Sequence, residues 1–170
     1  MTLERLWAGW RSEYVETAAG VAPQSDADAC VFCRILASEE PPESTYVVWR
    51  DERCAVVLNA YPYTSGHLMI MPLRHVAGPE DLIANESAAL WAVVTDAVRA
   101  LKAAYRPEGL NLGANLGRAA GAGVPGHFHV HCVPRWNGDT NFMTTTAEVR
   151  VLPESLPATF GKVREAWPSE

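Results

Sequence analysis

The segment Gly126-His127-Phe128-His129-Val130-His131-Cys132-Val133-Pro134 restricts the fold more than any other part of the chain. It carries three of the five histidines, spaced i, i+2, i+4. On a strand that period places all three imidazoles on one face and turns Phe128, Val130 and Cys132 to the other. The spacing therefore predicts a strand over Phe128–Pro134. Imidazoles are costly to bury together without a shared task, so the face is read as a site. Two chemistries suit it. One is a zinc ion on His127, His129 and His131 with an activated water. The other is an imidazole nucleophile that attacks phosphorus and is released in a second step.

The residues just upstream favour the second chemistry. Gly117-Arg-Ala-Ala-Gly121-Ala122-Gly123-Val-Pro-Gly126 is small, glycine-rich and delivers straight into the histidine strand. Glycines let backbone N–H groups converge on anionic oxygens, which suits a phosphate. Arg118 and Arg135 flank the strand and can offset phosphate charge. Trp136 lies close enough in sequence to stack on a base.

Thr45–Arg50 and Cys54–Leu58 read as a hairpin, and His67–Pro72 follows as a third strand after the turn Asn59–Gly66. Asn85 is a suitable cap for a long helix whose buried face is Leu90, Trp91, Val94, Val98 and Leu101. Leu110–Leu116 is a further strand, and the tail from Pro153 can form a last helix. The expected class is α+β, with an antiparallel sheet of about five strands, one long helix and a C-terminal helix. No linker divides the 170 residues. They are read as one domain, with an N-terminal arm and loop over 1–29, a core over 30–143 and a C-terminal extension over 144–170. The arm is aromatic, with Trp7, Trp10 and Tyr14 interleaved with Arg5 and Arg11.

Composition narrows the class of partner. A net charge of −6 argues against a surface that grips nucleic-acid backbone. No apolar run is long enough to span a membrane, and charged residues interrupt the first 14 positions, which therefore lack the core of a signal peptide. A cytoplasmic location is the expectation. Four cysteines are too few and too unevenly placed for a disulfide scaffold.

His127-Phe-His129-Val-His131-Cys-Val-Pro134 resembles the signature of the histidine triad superfamily. Cys30-Val-Phe-Cys33, Asn59, Gly66-His67-Leu-Met-Ile-Met-Pro72 and Pro134-Arg-Trp-Asn-Gly-Asp-Thr-Asn-Phe-Met143 are similar to it as well. The last of these, with Leu6-Trp7-Ala-Gly-Trp10-Arg11, resembles the bacterial fragile-histidine-triad and diadenosine tetraphosphate phosphorylase branch. The resemblance implies a histidine triad fold and a nucleotidyl hydrolase or transferase acting on dinucleoside polyphosphates. It makes His129 the nucleophile at the α-phosphate, with His131 on phosphate oxygens and His67 close to the nucleotide. Asn59 would contact the ribose, the backbone of Gly121, Ala122 and Gly123 would cradle the phosphates, and Asn115 would add a polar contact. Gly123 stands where the fragile-histidine hydrolases carry a glutamine, so water and phosphate both remain open as acceptors. A nucleotide-binding regulator with slow turnover is the alternative. The resemblance also implies a homodimer, and the aromatic arm points the same way.

Cys30-x-x-Cys33 is half of a closed tetrahedral zinc site. Some members of the superfamily complete such a pair with a histidine after the third strand and the first histidine of the triad. That resemblance implies a structural zinc on Cys30, Cys33, His75 and His127, bracing the strand that carries the nucleophile.

Overall fold

A computed structural model describes residues 27–139 and 154–168. The N-terminal arm, the Asn141-Phe142-Met143 end of the resemblance and Pro153 lie outside the described residues. The elements are α1 (Val31–Ala37), α2 (Pro42–Thr45), β1 (Val47–Arg50), β2 (Cys54–Leu58), β3 (Leu68–Pro72), α3 (Ala84–Tyr105), β4 (Gly109–Gly113), β5 (Val130–Arg135) and α4 (Leu156–Glu165).

The strands form one antiparallel sheet in the order β1-β2-β3-β5-β4. This is the α+β architecture expected. β2 and β3 are buried throughout, and their alternation divides the core in two. Val56, Leu58, Leu68 and Ile70 face α3, together with Phe128, Val130 and Cys132. Ala55, Val57, Met69 and Met71 face the other way, under Phe32 and Leu36 of α1. His131 pairs with Met69 across the sheet, so the histidines share the α1 face. The long helix and the histidine face are thus on opposite sides of the same strands.

Local details correct several boundaries. The first strand begins at Val47, because Thr45 closes α2 and Tyr46 turns left-handed at φ 57°. β4 stops at Gly113 rather than Leu116, and β5 begins at Val130. His127 and His129 therefore sit in the approach to the strand, while only His131 lies within it. Asn85 is not the cap of α3, since the helix begins at Ala84 after Ile83. Glu86 supplies the bond instead, accepting from the Ile83 N–H at 3.1 Å and from Nε and Nη2 of Arg74. The buried face of α3 is Leu90, Val93, Val94, Ala97, Ala100 and Leu101. Trp91 is 55 % exposed, contrary to expectation.

Gly66 fixes where His67 emerges. Its φ is +85°, and a Cβ there would lie 3.0 Å from Pro134 Cγ and 3.1 Å from Leu101 and Tyr105 side-chain atoms. Gly66→Ala therefore meets both backbone strain and a wall of packed carbon. The expected loss is about 2–4 kcal/mol, read as a lowered urea midpoint with an unchanged slope. A midpoint equal to wild type would show that the turn can relax.

Candidate active site

Three imidazoles meet in one chain of contacts. The Tyr63 N–H donates to His67 Nδ1 at 3.1 Å, and His67 Nε2 lies 2.9 Å from His131 Nδ1. A backbone amide can only donate, so His67 Nδ1 holds a lone pair and its proton sits on Nε2. That proton is given to His131 Nδ1, which leaves His131 with its own proton on Nε2. The Asn59 amide nitrogen, 3.3 Å from His67 Nδ1, supports the same assignment as a second donor. His67 is 1 % exposed and reaches the site through His131.

His129 is oriented separately. Its Nδ1 lies 2.8 Å from the His127 carbonyl oxygen. A carbonyl can only accept, so Nδ1 carries the proton and Nε2 the lone pair. Burial pushes the His129 pKa down, opposed by that carbonyl bond, and the ring is neutral at pH 7. Its edge contacts are Phe32, with ring centres 5.0 Å apart, and His131 at 4.8 Å.

Burial, with a smaller repulsion from His129, lowers His131 to about 4. The unfolded chain protonates the same residue near 6.5. Between these values the unfolded state binds the extra proton, so His131 costs stability as pH falls from about 6.5 towards 4 and has no such effect above. Urea midpoints at pH 7, 6 and 5 are expected to fall less steeply in His131→Gln. An identical slope would contradict the neutral, half-buried ring.

The second cluster gathers Cys30, Cys33, His75 and His127, whose ligand atoms all lie within 4.8 Å of one another. Nδ1 of His127 is 3.6 Å from Cys30 Sγ and 3.5 Å from Cys33 Sγ, and Nδ1 of His75 is 3.3 Å from Cys33 Sγ. On the other side of its ring, His127 Nε2–H donates to the Pro72 carbonyl at 2.9 Å, an outer contact typical of metal-binding histidines. Zinc–sulfur and zinc–nitrogen bonds of ordinary length at the tetrahedral angle separate S and N by about 3.6 Å. The donor set and its spacing fit zinc. Burial and the neighbouring Cys30 raise the Cys33 thiol to about 11, so without a metal Cys33 keeps its proton, which a cation would have to displace.

His127 thus points into this cluster, away from His129 and His131. The three imidazoles do not converge on one point, and a single zinc ion held by all three is not supported. All five histidines are used by the two clusters, which touch at His127, because its ring belongs to one and its carbonyl to the other.

The glycine-rich loop is closed by bonds of its own backbone. Gly117 and Gly121 have φ of +75° and +89° around a short 3-10 turn over Arg118–Ala120. The Gly121 N–H is bonded to Arg118 O at 2.8 Å and the Ala122 N–H to Gly117 O at 3.2 Å. In this conformation the cradle of Gly121, Ala122 and Gly123 keeps only the Gly123 amide clear of such loop bonds. Asn115 braces the loop through Gly121 O at 3.4 Å. Arg135 is engaged by Asp139 and Asn111, and Trp136 meets Tyr105 edge-on at 6.2 Å.

Sequence reasoning missed Phe32 and Tyr63. Phe32 sits inside the Cys30–Cys33 turn and packs on His127 and His129. The Tyr63 ring lies 4.6 Å from His67 and 6.1 Å from His131.

Comparison with known proteins agrees with this geometry. The model of the HIT domain matches residues 40–138. An AP-4-A phosphorylase of Mycobacterium tuberculosis is 41 % identical over 167 residues, 97 % of this chain and 85 % of that protein. A hypothetical histidine triad nucleotide-binding protein from Sulfolobus tokodaii superposes with a TM-score of 0.66 at 32 % identity, over 81 % of this chain and 91 % of its own. A Zn-bound histidine triad family protein from Mycobacterium smegmatis gives 0.66 at 29 % identity, over 83 % and 94 %. Among the described residues, no helix is long and apolar enough to cross a membrane. A matching domain over more than half of the chain, joined to an aligned triad of histidines, leads to one conclusion: the chain belongs to the HIT domain family.

Proposed function

We propose that the chain cleaves dinucleoside polyphosphates at an α-phosphate through a nucleotidyl-histidine, and that inorganic phosphate resolves the intermediate. The observation that carries this reading is the His127 carbonyl holding the proton on His129 Nδ1. It leaves Nε2 of a neutral ring as the nucleophile. Attack forms the Nε2–P bond and breaks the bond from that phosphorus to the polyphosphate bridge. The electron pair leaves with the remaining nucleotide, which needs little protonation to depart. The adduct is an imidazolium whose Nδ1–H stays on the carbonyl, so its charge is met by a dipole already in place. His131 is proposed to donate its Nε2–H to the phosphate oxygens, positioned by His67. The Gly123 amide is proposed to assist it, and Asn59 to contact the ribose. Phosphate then attacks the same phosphorus and regenerates neutral His129.

One observation supports phosphate over water: the Mycobacterium tuberculosis relative at 41 % identity is named a phosphorylase. For the second cluster we propose zinc, held by Cys30, Cys33, His75 and His127. Bound there it would supply a rigid cross-link between the start of α1, the segment after β3 and the approach to β5.

Product analysis separates the acceptors. With diadenosine tetraphosphate and phosphate the expected products are ATP and ADP, with turnover that falls as phosphate is removed. AMP in place of ADP, at a rate indifferent to phosphate, would make the protein a hydrolase. Tight binding without turnover would replace the enzyme reading by that of a nucleotide-binding regulator.

A further inference from the structure

The turn before His67 encloses a cavity of about 10 Å³ lined by Asn59, Ser65, His67, Glu154 and Thr159 among others. That volume accommodates a single water. Ser65 is 8 % exposed, and its hydroxyl has no hydrogen-bond partner among the described residues. A buried hydroxyl left in this way is costly, and a polar cavity beside it is the usual remedy.

The neighbours have capacity to spare. Glu154 accepts from the Tyr105 hydroxyl and from Thr159 at 3.0 Å and pairs with Lys162, which leaves one of about four carboxylate lone pairs. Asn59 accepts the Tyr61 N–H on Oδ1 at 2.9 Å and directs one amide hydrogen to His67, which leaves the other. We infer that one ordered water occupies this cavity, accepting from the Asn59 amide, donating to the Glu154 carboxylate and bonded to the Ser65 hydroxyl. Through it, the segment at Glu154 holds the Asn59 side chain and, beyond it, the His67–His131 pair. Ser65 and Glu154 are positioning residues, and Glu154 lies past residue 138, where the HIT domain match ends. The consequence for binding rests on the proposed ribose contact of Asn59; the water itself does not.

A crystal structure of the full chain, with Ser65→Ala, Glu154→Gln and the double variant, tests this. Density for one water within hydrogen-bond distance of Ser65 Oγ, Asn59 Nδ2 and Glu154 supports the inference, and an empty cavity overturns it. AMP affinity by calorimetry gives a second readout. Loss of one buried bond is expected to weaken binding about five-fold in Ser65→Ala. The double variant should lose less than the product of the single losses, because both residues hold the same water. Losses that multiply would overturn the shared bridge. If AMP fails to bind the wild type, the nucleotide reading falls while the density still decides the inference.

Discussion

His129→Ala is expected to lower turnover of a dinucleoside polyphosphate by at least about 10⁴-fold, the scale on which a covalent nucleophile is lost. The folded state should survive. His129 is 5 % exposed, so its removal leaves a void and an unmet carbonyl at His127, together costing about 2–3 kcal/mol. Nucleotide affinity should change far less than turnover, because the proposed ribose and phosphate contacts remain. His67→Gln offers the contrast. It disturbs a ring that acts through His131, and turnover should fall about 10²-fold, within the range for a lost proton or charge donor. Equal losses in the two variants would contradict the division of roles.

Cys33→Ser should produce the largest change in stability. Cys33 Sγ lies 3.3 Å from His75 Nδ1 and 3.5 Å from His127 Nδ1, so its loss opens the proposed zinc site from two sides. Structural zinc sites contribute folding energy directly. A loss of at least about 4 kcal/mol is expected, which lowers Tm by roughly 10 °C in a chain of this length. Chelation of the wild type should do the same, and zinc content by elemental analysis should fall from one per chain to none. Turnover should fall with it, because the His127 ring ties the cluster to the carbonyl that orients His129. Wild-type protein without metal, or a Tm unmoved by Cys33→Ser, would contradict the assignment.

The sheet and the histidine face were legible because they rest on short-range periods. Alternation along 127–132 separates Phe128, Val130 and Cys132 from the histidines whatever surrounds them. The β-rich composition of Cys54–Leu58 and His67–Pro72 identifies them as strands whatever packs on them. The face of α3 was less legible. Its contact with the sheet runs through Ala97 and Ala100, which a search for large apolar residues passes over, while Trp91 remains in solvent. The cap at Asn85 failed for a tertiary reason, since Arg74 brings Glu86 to the Ile83 amide. Within the site, the residues of both clusters could be named from the sequence, but the bonds that orient them could not. The Tyr63 N–H, the His127 carbonyl and the Pro72 carbonyl are main-chain groups, and any residue supplies them. The loop amides of Gly121 and Ala122 turn inward for the same kind of reason: a glycine's identity permits a turn without stating where its N–H will point.

Trapping the nucleotidyl-histidine separates covalent from direct transfer. Protein is mixed with diadenosine tetraphosphate radiolabelled at the α-phosphates, in the absence of free phosphate, and quenched in alkali, where a phosphorus–imidazole bond persists. Wild type should retain label on the peptide carrying His129 and release it as ADP when phosphate is added before the quench, whereas His129→Ala should retain none. Turnover by His129→Ala at a rate near that of wild type, with neither protein labelled, would rule out covalent catalysis at His129.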